Sequence, residues 1–295
     1  MLKEVSIVND QEFDQNTTPE ECTHDCSTCG ANCASREGAQ EDFDFTAPLN
    51  DVSIVHHRIG VVSGKGGVGK SLVTSMLAVA LRRKGLRTAI LDADITGPSI
   101  PAMFGVNQQI YQNEFGILPA TTKTGIDMMS INLLLDNVNT PVLWRGPIIT
   151  GTVKQFYSEV VWDNIDYMFV DMPPGTGDVP LTVFQSIPLD GIIIVATPQE
   201  LVGMVVSKAI EMAKAMNVSI IGIIQNMSYV TCPDCGKKIY VFGDVGTEQI
   251  ASSYQLPLLA RIPLDPQLSS LCDRGQIEEF EGDWLNEAAD HILSL

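Results

Sequence analysis

The chain of 295 residues has no apolar run approaching the roughly 20 residues that cross a bilayer as a helix, which excludes a membrane-spanning reading. Gly191–Ala196 and Ser219–Ile224 are short enough to read as buried strands. Met1–Phe13 carries acids and polar residues where an export signal needs an apolar centre, so the expectation is a cytoplasmic protein. No internal repeat is visible, which excludes a stacked array. Basic residues are scarce: 18 Lys and Arg stand against 36 Asp and Glu, for a net charge of −18. Between Met1 and Val55 twelve acids face only Lys3 and Arg36, and between Asp273 and Asp290 seven face only Arg274. The acidity therefore belongs to two ends, which disfavours attachment to nucleic acid or anionic membranes; plain solubility explains it equally well.

What is present is cysteine, and it is clustered. Four of seven lie in Cys22-Thr-His-Asp-Cys26-Ser-Thr-Cys29-Gly-Ala-Asn-Cys33, two in Cys232-Pro-Asp-Cys235-Gly, and Cys272 stands alone as a small buried residue. In a chain without an export signal, such clusters are metal ligands or redox groups before they are disulfides. Residues 1–55 read as a flexible acidic arm carrying the four-cysteine motif, and residues 56–295 as a single nucleotide-binding domain.

Within that domain, short apolar runs alternate with helical patterns. The expected fold is α/β, a mainly parallel sheet flanked by helices on both faces. Strands are expected at Ile59–Ser63, Thr88–Asp92, Ile126–Ile131, Tyr167–Asp171, Gly191–Ala196, Ile220–Asn226 and Leu258–Arg261. Helices are expected at Lys70–Lys84, Gly151–Val160, Pro180–Gln185, Glu200–Met216, Gly246–Tyr254 and Asp283–Leu293.

Between the first strand and first helix lies Ser63-Gly64-Lys65-Gly66-Gly67-Val68-Gly69-Lys70-Ser71, followed by Leu72. Strand, glycine loop, lysine, serine and helix in that order form a phosphate loop. The glycines turn backbone N–H groups inward, and the helix start adds partial positive charge. Lys70 is expected on the β- and γ-phosphates of ATP, and the Ser71 hydroxyl on Mg²⁺. Tyr167–Asp171 is an apolar strand ending in an acid, so Asp171 is expected to reach Mg²⁺ through water. The glycine-punctuated Pro173–Asp178 that follows is a candidate switch at the γ-phosphate. Asp92 and Asp94 end the second strand, where sheets of this kind bind ligands. Asn226, ending another strand, is a candidate adenine contact or a turn former.

Lys65 gives the loop the form K-G-G-x-G-K-S, which resembles the deviant Walker A class of the nitrogenase iron protein and the division and partitioning ATPases. That resemblance implies a homodimer in which Lys65 reaches the partner's nucleotide. It also implies that Asp94 orients or deprotonates the attacking water, beside Lys65 and Lys70, while Asp92 supports the Mg²⁺ shell. With Asp92–Pro101, Leu143–Pro147, Asp171–Asp178, Gln225-Asn226-Met227 and the C-x-x-C in order, the chain from Arg58 onward resembles the Mrp/ApbC-type ATPases. The resemblance implies a dimeric carrier that holds a labile [4Fe–4S] cluster between subunits through Cys232 and Cys235. Its partners would be cluster-assembly factors and the apo iron–sulfur proteins that receive the cluster.

Other readings stay open. Two cysteines per chain satisfy half of a four-ligand site, so a shared cluster, a zinc knuckle completed elsewhere and a redox dithiol all fit. Cys22, Cys26, Cys29 and Cys33 suit a second [4Fe–4S] cluster or Zn²⁺, with His24 an alternative ligand. Arg145, beside Trp144, fits either packing or a link to the dimer surface. At the level of function, a positioning ATPase or an ATP-driven electron donor are the rivals; the first needs a membrane-seeking helix or basic surface that the acidic Glu278–Trp284 does not supply.

Overall fold

The computed structural model describes residues 46–135, 144, 146–201, 204–243 and 251–295. Cys22, Cys26, Cys29, Cys33 and Arg145 lie outside the described residues, as does the expected helix Gly246–Tyr254 up to residue 250.

Twelve strands occur among the described residues, eight of them in one sheet. These eight are β1 (Val55–Val62), β2 (Thr88–Asp92), β5 (Ala120–Thr121), β6 (Asp127–Met129), β7 (Ile165–Asp171), β8 (Gly191–Ala196), β9 (Ile220–Gln225) and β12 (Leu258–Arg261). Their order is β12-β9-β8-β1-β7-β2-β6-β5, parallel throughout except where β5 meets β6. Two small antiparallel hairpins stand apart, β3 (Gln112–Asn113) with β4 (Gly116–Ile117), and β10 (Val230–Thr231) with β11 (Lys238–Ile239).

Period-two alternation divides the strand side chains between two cores. Ile59, Val61, Ile90, Phe169, Ile193 and Val195 face one side, with the buried face of α1 (Lys70–Arg83) and the C-terminal helix Asn286–Leu293. Val62, Leu91, Met168, Val170, Ile192 and Ile194 face the other. There they meet α3 (Gly146–Ser158), α4 (Asp178–Ser186) and α6 (Met204–Ala215). The expected α/β architecture with both sheet faces covered is the observed one. No helix among the described residues is long and apolar enough to cross a membrane.

The departures from expectation are local. The short α2 (Ile100–Phe104) was not among the expected elements; Pro101 sits in its first turn, where its missing N–H costs nothing. α3 begins five residues earlier than Gly151, with Pro147 in its first turn, and Val160 instead forms a parallel bridge with Ile117. Of the expected helix Glu200–Met216, the described residues carry α5 (Pro198–Leu201) and α6 (Met204–Ala215), and residues 202–203 lie outside the described residues. A further helix, Pro266–Asp273, is capped by Asp265, whose carboxylate accepts from the N–H groups of Gln267 and Leu268. Residues just before β1 are tied to the domain: the Ala47 N–H donates to Ser186 O, and the Ile54 N–H to Trp162 O.

Candidate functional site

β1 is central, between β7 and β8, and its carboxyl end opens into the glycine loop. The Ser63 hydroxyl donates to Lys65 O at 3.0 Å and tightens the loop's start. Gly67 and Gly69 both have φ of 82°, a left-handed conformation that glycine adopts without strain. Gly69 caps α1, and a Cβ on Gly66 or Gly67 would meet nothing within 4 Å. The loop therefore surrounds an open space at a helix N-terminus, the arrangement that receives phosphate oxygens.

Lys70 opens α1, and its buried ammonium lies 2.8 Å from Asp171 Oδ1 and 3.7 Å from Asp94 Oδ2. The contact with Asp171 is an ion pair outside hydrogen-bond geometry, so hydrogen-bonding capacity remains on the ammonium. Asp171 also accepts from Ser71 Oγ at 2.6 Å and from Thr74 Oγ1 at 2.8 Å. The parallel register of β2 and β7 sets Asp92 beside Asp171. Asp92 accepts from Ser130 Oγ at 2.9 Å and from the Asp94 N–H at 3.2 Å. Burial first, and then the charge of Asp171, pushes the Asp92 carboxyl up to about 8. Asp94 is further out, accepting from Thr96 Oγ1 at 3.1 Å.

Asp92, Asp94 and Asp171 thus gather around one ammonium that still has N–H groups to donate. A nucleoside triphosphate with a divalent cation fits this set: the cation offsets excess carboxylate and the phosphates take up the Lys70 N–H groups. Ser71, Asp171 and Asp92 are the residues that would hold Mg²⁺. Sequence reasoning missed Thr74 and Ser130. Thr74 lies four residues after Lys70 on the same helix face, which was a usable signal. Ser130 follows β6 and reaches Asp92 only through the sheet.

Asn226 directly follows β9, almost fully buried, and is turned onto the phosphate loop. Its Nδ2 donates to Val68 O at 2.8 Å, and its Oδ1 accepts from the Met227 N–H at 2.9 Å. Beyond it the chain enters the β10–β11 hairpin, whose turn is Cys232-Pro-Asp-Cys235-Gly. The Cys232 N–H donates to Lys237 O, the Gly236 N–H donates to Cys232 O, and Gly236 takes φ of 70°. Cys232 is half-buried and Cys235 exposed. Hydrogen bonds from the Cys235 and Asp234 N–H groups, then the Cys235 thiol, hold the Cys232 thiol below its usual range. Among the described residues, no group of three or more His, Cys, Asp or Glu side chains forms a metal site. The hairpin alone therefore offers two thiols. Cys272 is half-buried on the helix Pro266–Asp273, and burial, then the charge of Asp273, pushes its thiol up to about 11. A groove of about 740 Å³ bounded by Ala102, Val106, Ile110 and Leu133 lies beyond α2, away from the phosphate loop, so cleft size does not locate the chemistry.

Comparison with known proteins bears on the family. The iron–sulfur cluster carrier protein of Methanocaldococcus jannaschii is 47% identical over 261 residues, covering 86% of this chain and 89% of that one. The protein of the same name from Clostridium perfringens is 44% identical, covering 86% and 94%. A nucleotide-binding protein from Archaeoglobus fulgidus, solved with ADP, superposes with a TM-score of 0.71 at 43% identity, covering 78% of this chain and 90% of its own. The MinD cell division protein of Aquifex aeolicus, at 19% identity and a TM-score of 0.57 over 81% and 97%, shares the fold. With the family profile described as ParA, NUBPL iron-transfer P-loop NTPase matching residues 54–294, the chain belongs to the iron-transfer P-loop NTPase family.

Proposed function

We propose that this protein is an ATP-dependent carrier that takes up a [4Fe–4S] cluster as cargo and passes it to apo-proteins. The observation that carries this reading is the pairing of the two sites. A phosphate loop with three carboxylates around Lys70 and a hairpin presenting Cys232 and Cys235 lie on one domain, joined through Asn226. Two thiols are half of what a cubane cluster needs, and a two-fold axis between copies of the chain supplies the other half. The relatives named as cluster carriers support the same assignment.

In this reading ATP is hydrolysed slowly. Lys70 binds the β- and γ-phosphates, Asp94 orients and deprotonates the attacking water, and Lys65 reaches the partner subunit's nucleotide. Mg²⁺, when bound, neutralises charge on the phosphates. Gly64, Lys65, Gly66, Gly67, Val68, Gly69, Lys70, Ser71 and Leu72 form the nucleotide cradle, and Asn226 contributes by holding Val68, beside the expected contact with adenine. Cys22, Cys26, Cys29 and Cys33 hold a second cluster or Zn²⁺. Thiols that serve as metal ligands suit the reducing cytoplasm.

The test is iron, sulfide and zinc content after anaerobic purification, comparing wild type with Cys232→Ala. The carrier reading expects loss of about four irons per dimer in the variant, together with loss of transfer to an apo-acceptor. Stoichiometric zinc without sulfide in the wild type would leave a dimeric ATPase with structural cysteines.

A further inference from the structure

Asn226, whose side chain bonds the phosphate loop, lies six residues before Cys232 along the chain. The connection begins in a peptide plane. The Val68 carbonyl and the Gly69 N–H belong to one planar unit, so turning one turns the other. Asn226 Nδ2 holds that carbonyl at 2.8 Å. There is no slack beside it, because a Cβ on Gly69 would lie 2.1 Å from Asn226 Nδ2. A rotation that aims the Gly69 N–H at a phosphate oxygen must therefore move the Asn226 amide or break its bond.

From Asn226 the displacement has a stiff path onward. The Asn226 N–H is fixed to Ala196 O on β8, at 2.9 Å. Met227 is held at φ of 54°, a conformation a non-glycine residue keeps only when its surroundings over-determine it. Here the Asn226 Oδ1, accepting from the Met227 N–H, is part of what determines it. Ser228 is clamped through its N–H to Ile262 O, and its hydroxyl lies within bonding distance of both Gln225 O and Ile262 O. Tyr229 O accepts from the Leu264 N–H, Val230 pairs with Ile239, and the Cys232 N–H closes the turn on Lys237 O.

We infer that Asn226 is a positioning residue that couples the phosphate loop to the thiol hairpin, so that a triphosphate on the loop changes how Cys232 and Cys235 are presented. The coupling is a property of the chain with its thiols free. Its use in cluster release rests on the carrier reading above.

The experiment uses the full-length protein stripped of metal, with Cys232 and Cys235 alkylation rates read by peptide mass spectrometry. Rates are compared with and without a saturating non-hydrolysable ATP analogue and Mg²⁺, with nucleotide binding and oligomeric state measured in parallel. In the wild type the nucleotide is expected to change at least one of the two rates several-fold. Asn226→Ala loses its bond to the loop and is expected to bind the analogue more weakly, so it is compared at a concentration shown to fill its site, where it should lose most of that change. Ser228→Ala, which leaves the phosphate loop untouched, removes the hydroxyl bonds but keeps the N–H bond to Ile262 O, so it should keep its nucleotide affinity and lose part of the change; it decides the matter if Asn226→Ala does not fold or bind. A wild type without any nucleotide response overturns the coupling. So does a full response in Ser228→Ala, or one that follows dimer formation alone equally in all three proteins. Because no cluster is present, the outcome is independent of whether the chain carries iron or zinc.

Discussion

Lys70 and Asp171 meet as a buried ion pair, 2.8 Å apart, with Asp171 fully enclosed and Asp92 and Asp94 close by. Among the described residues, the Lys70 ammonium is the cation that pairs with both Asp171 and Asp94. Removing one partner of a buried pair strands the other, at a cost of about 3–5 kcal/mol. Lys70→Ala is therefore expected to lower the urea-unfolding stability of nucleotide-free protein on that scale as well as to abolish ATP binding. Unchanged stability would mean that the acids are neutral or hydrated without Lys70.

Asp171 has a second use. It accepts from Ser71 and Thr74 while lying next to the Asp92 strand end. Asp171→Asn keeps the shape, replaces a carboxylate oxygen with a donor and removes the charge. ATP hydrolysis should fall by about 100-fold or more, the scale on which loss of one preorganised electrostatic group costs catalysis. Nucleotide binding measured without Mg²⁺ should survive. A variant that retains its Mg²⁺-dependent rate would remove Asp171 from the metal shell.

The three described cysteines should separate by reactivity in protein stripped of metal. Cys232 is held below the ordinary thiol value of 9.0, whereas Cys272 is pushed up to about 11. A lowered value means more thiolate at neutral pH, and a raised one means less. Iodoacetamide labelling of Cys232 should therefore level off at lower pH than labelling of a free thiol. At pH 8 Cys272 should hold about 100-fold less thiolate than an unperturbed thiol, two pH units corresponding to that ratio. Site-resolved mass spectrometry between pH 6 and pH 10, read at about unit steps, checks both curves. Equal profiles for Cys232 and Cys272 would contradict the hydrogen bonding at the hairpin turn.

Gly105 and Gly275 pack back to back, and a Cβ on either would stand 2.8 Å or less from the other's backbone. Both have positive φ, 64° and 69°. Gly275→Ala adds about 1–2 kcal/mol of left-handed backbone cost to that clash, so melting temperature should drop clearly. ATP affinity should stay near that of the wild type, since neither glycine touches the phosphate loop. Loss of affinity in folded protein would instead tie α2 to the nucleotide site.

Much of this was legible in the sequence because the signals were local. Thr88–Asp92, Gly191–Ala196 and Leu258–Arg261 are apolar runs that became strands with those same ends. The phosphate loop was readable from its glycine spacing between strand and helix. What escaped has two causes. Asp265-Pro266 was a readable helix start, so the helix Pro266–Asp273 was a missed signal of the ordinary capping kind. The Ser130 hydroxyl on Asp92 and the Asn226 amide on Val68 O join residues 38 and 158 positions apart, and no local pattern announces such contacts. Asn226 was legible as important but not as a strut for the loop.

The thiol turn has one more consequence. Its shape is set by peptide hydrogen bonds at Cys232, Gly236 and Lys237, by the β10–β11 pairing and by Tyr229, which is nearly buried and carries the Lys238 ammonium 4.4 Å above its ring. In small zinc domains, by contrast, metal binding and folding are one equilibrium, so the metal is retained with the whole folding energy behind it. A pre-shaped turn adds no such folding energy to its grip. A group bound there would be held by its donor atoms, and its departure would leave these hydrogen bonds in place, which is the thermodynamic condition for a part that is emptied as readily as it is filled.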